Sequence, residues 1–88
     1  MRFIWTETSP LTGSLKGRVP GLEDQDYVSV YKGVGGGWVA LGPGILPIKP
    51  YPTREGAQQY AEANFEIVQE FLQTEKERNT IWFEDNYF

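Results

Sequence analysis

Residues 31–40 read YKGVGGGWVA. Four glycines in five positions separate one β-prone run, Tyr27-Val28-Ser29-Val30-Tyr31, from another, Trp38-Val39-Ala40-Leu41. A phosphate-cradling loop needs glycines that lead from a strand into a helix, with Lys-Ser or Lys-Thr behind them. Here the glycines lead from strand to strand and no such pair follows. The stretch therefore predicts a β-hairpin whose tip uses glycine for positive φ. Trp38, directly after the tip, is either a core anchor or an exposed contact residue.

Further strands flank this hairpin. Met1–Thr8 alternates Phe3 and Trp5 against Ile4 and Thr6, and Leu15–Val19 alternates apolar with basic residues. Ile45–Ile48 lies among prolines, which confine it to an edge strand or an extended loop. From Thr53 the period changes. Thr53 is a good N-cap, and Ala57, Tyr60, Ala61, Asn64, Phe65, Val68, Phe71 and Leu72 recur at helical spacing. The expected helix ends at Lys76 or Arg78, Asn79-Thr80 breaks it, and Ile81-Trp82-Phe83 begins a last strand. The expected core contains Phe3, Trp5, Tyr27, Val28, Val30, Trp38, Tyr60, Phe65, Phe71 and Trp82.

The composition bounds the function. At 88 residues, 40% hydrophobic and 15% aromatic, the sequence reads as one folded domain over 1–88. It has neither Cys nor His. Disulfides and thiolate metal sites are excluded, and so are the commonest general base and metal ligand. No apolar run approaches the roughly 18 residues of a membrane span, and MRFIWTETSP is too short and polar for a secretion signal. A soluble, cytoplasmic protein without membrane attachment is the expectation.

The net charge of −4 is unevenly spread. Residues 1–54 hold six bases and four acids, whereas residues 55–88 hold two bases and eight acids. Glu62, Glu66 and Glu70 recur at four-residue intervals on one helix face. Such a row can bind a cation or do acid–base work, but it is also what a solvated helix face presents. The loop Glu23-Asp24-Gln25-Asp26 lacks the glycine and the distal Glu of a calcium loop. Neither enzymatic activity nor a cofactor or metal is expected.

Tyr31-Lys32-Gly33-Val34, Trp38-Val39-Ala40 and Tyr51–Ala61 occur in a familiar order: strand, glycine turn, strand, helix. This order resembles the sheet-plus-helix module of integrase arm-binding domains and ethylene-response-factor domains. The resemblance implies a sheet backed by a helix and DNA binding by the sheet, where the matching positions offer Lys32 and Lys49, with Arg18 nearby. Size, acidity and aromatic content also resemble the small accessory proteins of phages and mobile elements, some of which inhibit host proteins.

The fold expectation is α+β: an antiparallel sheet of three to five strands against one long amphipathic helix. The leading functional expectation is a protein-binding module, of the phage accessory type that inhibits a host protein. Its contact residues would be Trp38, the acidic row Glu62, Glu66 and Glu70, and the terminal pair Tyr87-Phe88. A nucleic-acid-binding accessory domain using the sheet is the alternative. A structural homo-oligomer paired through the last strand is the third.

Overall fold

In the computed structural model the chain is described over residues 1–47 and 49–87, with side chains through Arg78. Four strands form an antiparallel meander: β1 (Ile4–Glu7), β2 (Leu15–Arg18), β3 (Val28–Lys32) and β4 (Trp38–Leu41). Two helices follow, α1 (Arg54–Ala63) and α2 (Phe65–Tyr87). The architecture is α+β, with a four-stranded sheet.

The glycine stretch is the β3–β4 hairpin, paired from Lys32↔Trp38 to Ser29↔Leu41. Gly36 takes φ +89 at its tip. The Gly33 N–H donates to the Gly37 carbonyl at 2.7 Å, closing the loop. Gly37 is required for a different reason: a Cβ there would run into Pro50. The strand after the tip is held on its outer edge by Tyr51. Trp38 and Tyr51 exchange both backbone hydrogen bonds at 2.7 Å, which covers part of the β4 edge.

Strand pleating sorts the sheet into two faces. The inner face carries Trp5, Leu15, Gly17, Val28, Val30 and Ala40, all in register across the strands. Helix α1 covers this face with Ala57 and Ala61, and Phe65, Val68 and Leu72 of α2 complete the same core. Ala57 and Ala61 are fully buried where α1 packs on β3 and β4, and their short side chains let the helix backbone approach the sheet. The opposite face carries Ile4, Thr6, Lys16, Arg18, Ser29, Tyr31, Val39 and Leu41.

Three sequence expectations are corrected. The one long helix is two helices. Asn64 uses its side-chain Nδ2 to donate to the Tyr60 carbonyl at 2.8 Å, while its backbone N–H turns to Ala61 at 3.0 Å. The Asn side chain thus takes the acceptor that would have continued the ladder, and the helix is interrupted for one residue. Secondly, no strand begins at Ile81, because α2 runs through Asn79-Thr80 to Tyr87. Thirdly, Phe71 is 45% exposed and is not core. Trp5, Tyr27, Trp38 and Tyr60 are half-buried, and Trp82 lies outside the described side chains.

Candidate functional site

The expected acidic row does not act as a unit. Glu62 faces the N-terminal strand and is occupied there. Its carboxylate accepts from the backbone N–H of Arg2 at 2.8 Å, from that of Phe3 at 3.2 Å, and from Trp5 Nε1 at 2.7 Å. Three donors converging on one carboxylate fasten the start of the chain to α1. Glu66, one turn on, is exposed and pairs with the Arg2 guanidinium at 3.3 Å. The same guanidinium lies 4.2 Å from the centroid of the buried Phe65 ring. Glu70 alone of the three has no partner within its chain among the described residues.

Trp38 is half-buried and packs against the core. Its remaining surface lines a cleft with Pro10, Leu11, Gly13, Pro52 and Arg54 at the start of α1. Arg54 closes one wall by donating to the Gly13 carbonyl at 3.2 Å. Thr53, whose hydroxyl accepts from the Gly56 N–H at 3.0 Å, is the N-cap that the sequence announces. Tyr87 is the last helical residue, and its side chain and Phe88 lie outside the described residues.

The surface that sequence reasoning misses lies on α2. Val68 and Leu72 point into the core and are 0% and 2% exposed. From Gln73 to Arg78 every side chain is exposed. The molecule accordingly measures 51 × 25 × 24 Å, with one long axis. Beside the buried row runs a second one. Ile67 is 52% and Phe71 45% exposed, and with Glu70, Thr74, Glu75 and Arg78 they line a shallow groove of about 390 Å³. The inner end of this groove rests on the β4–α1 connection, where Gly44 takes φ +81 against Ile67 and Phe71. The one signal in the sequence was the Ile67, Phe71, Thr74, Arg78 spacing, which the stronger Val68–Leu72 row overshadows.

On the open sheet face two cations share one ring. Lys16 Nζ lies 4.4 Å and Arg18 Cζ 4.8 Å from the centroid of Tyr27. Tyr31, Ile4 and Leu41 are exposed around them. The helical acids lie on the other side of the sheet, so charge is segregated across the fold. Among the described residues no helix is long and apolar enough to cross a membrane, and no cluster of three or more acidic side chains is placed to hold a metal ion.

Comparison with the models of known protein families, with curated proteins and with solved structures gave no match.

Proposed function

We propose that the chain is a non-enzymatic protein-binding module that docks through the outer stripe of α2. The observation that carries this is the exposed pair Ile67 and Phe71 on a helix that continues past its own core at Leu72. The monomer covers only about half of each side chain, against the β4–α1 connection at Gly44, and leaves the rest in water. Covering the exposed half of each would stabilise a complex by about 1 kcal/mol apiece. Glu70, Glu75 and Arg78 give the rim both signs of charge, so the stripe suits a partner surface of mixed charge. The docking surface therefore moves from the expected acidic row to the groove beside it, because Glu62 and Glu66 are engaged by the N-terminal strand. A phage-type inhibitor of a host protein is the narrower form of this function, in which the stripe meets a foreign chain.

A second reading, nucleic-acid binding by the open sheet face, is favoured by Lys16 and Arg18 beside Tyr27 and by the placement of the helical acids on the far side of the sheet. Stacking on aromatic rings flanked by cations is how sheets hold single strands. Photo-crosslinking separates the two. Benzoylphenylalanine at position 71 should give protein adducts in a cell lysate, and at position 41 it should give none. Nucleic-acid adducts from position 41 with none from position 71 would replace the first reading by the second.

A further inference from the structure

We infer that the occupant of the α2 stripe is a second copy of the same chain, laid antiparallel about a two-fold axis beside Thr74. This rests on the reading of α2 as the docking helix. The stripe Ile67, Phe71, Thr74, Arg78 advances by four, three and four residues. That alternation keeps a seam turned toward a single partner helix. Helix α2 extends well beyond Thr74 in both directions, from Phe65 to Tyr87, so a partner helix centred there has helix to lie against on either side.

The charges choose the direction. Glu70 stands four residues before Thr74 and Arg78 four after it. In an antiparallel pair centred on Thr74, each Glu70 meets the partner's Arg78, and the symmetry makes the contact twice. Phe71 then falls between the partner's Thr74 and the partner's Arg78, where a guanidinium can lie over the ring. In a parallel pair Glu70 would meet Glu70 and Arg78 would meet Arg78, and like charges would repel at both ends. Neither Glu70 nor Arg78 has an ion-pair partner within its own chain among the described residues, so neither must be released for the contact to form. The contact is isologous and closes at two chains, which excludes a growing filament. Its apolar content is small, so the dimer belongs with the weaker interfaces, below about 1,200 Å².

Charge reversal tests the register. Sedimentation equilibrium of the purified chain at about 10⁻⁴ M, a concentration that populates weak complexes, should show association. Glu70→Arg and Arg78→Glu should each weaken it by about tenfold or more. The double variant Glu70→Arg/Arg78→Glu restores opposite signs across the seam and should associate within about threefold of the parent. Both residues are exposed, and far-UV circular dichroism should show all variants folded. A monomeric parent, single variants that associate like the parent, or a double variant as weak as the singles would each overturn the second-copy proposal. Protein adducts from position 71 with a monomeric purified chain would leave the docking helix standing and assign it a foreign partner. Absence of protein adducts from that position, in lysate and in the purified chain alike, would remove both.

Discussion

Replacing Glu62 by alanine withdraws the acceptor from three N–H groups at once. The Arg2 amide is exposed and turns to water at little cost. The Phe3 amide and Trp5 Nε1 are partly buried, at 3.2 and 2.7 Å from the carboxylate. A buried donor left without a partner costs about 1–3 kcal/mol, and partial exposure puts each of these near the lower end, about 1 kcal/mol. Alanine returns a few tenths of a kcal/mol through its helix propensity. The net loss is about 2 kcal/mol, which for a domain of this size lowers Tm by roughly 8–16 °C. Glu62→Gln keeps one oxygen but turns an amide N–H₂ toward the other donors, so it should lose about half as much. Glu66→Ala is the control, because it removes only a surface ion pair worth about 0–1 kcal/mol. Thermal melts followed by far-UV circular dichroism, with tryptophan emission as a second probe, read all three. A Glu62→Ala variant that melts within about 3 °C of the parent would refute the fastening role, since the stated loss requires more.

At the hairpin, Gly36→Val should cost about 1 kcal/mol or more through its positive φ, while Val34→Ser at the fully exposed tip should leave urea denaturation unchanged. Gly37→Ala should cost about 1–3 kcal/mol, because Pro50 occupies the space of the new methyl. In the helix, Val68→Ala should lose about 2 kcal/mol from the core, whereas Phe71→Ala, three residues on, removes a half-buried side chain and should lose about 1 kcal/mol. For the sheet face, gel-shift assays near physiological salt should detect no micromolar binding of single-stranded DNA or RNA; binding at that level that is lost in Lys16→Glu or Arg18→Glu would favour the nucleic-acid reading.

Local signals were legible where chemistry within a few residues decides the backbone. The glycine tip and its two strands, the Thr53 cap and the proline-confined connection are all of that kind. The continuation of α2 past Arg78 was not, because Ile81-Trp82-Phe83 has the composition of a strand. A helix already under way adds each further residue without a new nucleus, and Asn79-Thr80 contains neither Gly nor Pro to stop it. The break came instead at Asn64, where a side chain competes for one backbone acceptor. Glu62 looks like Glu66 and Glu70 in the sequence. Its role depends on Arg2, Phe3 and Trp5 arriving from the far end of the chain, which spacing cannot show. The core was legible in part: Val28 and Val30 are 0% exposed and Phe3 and Phe65 are buried as expected, whereas the larger Trp5, Trp38 and Tyr60 are only half-buried and the fully buried Val19, Ala57, Ala61 and Val68 were passed over.

The most direct test is a paired measurement on Phe71→Glu. Tm is read at about 1 µM, dilute enough that a weak complex is dissociated and cannot contribute to stability, and self-association is read at about 10⁻⁴ M. If the α2 stripe is an interface at which the monomer uses only the buried half of Phe71, Tm falls by no more than roughly 4–8 °C and association is lost. A fall of about 12 °C or more would make Phe71 part of the monomer core, and association that persists unchanged would place the interface elsewhere.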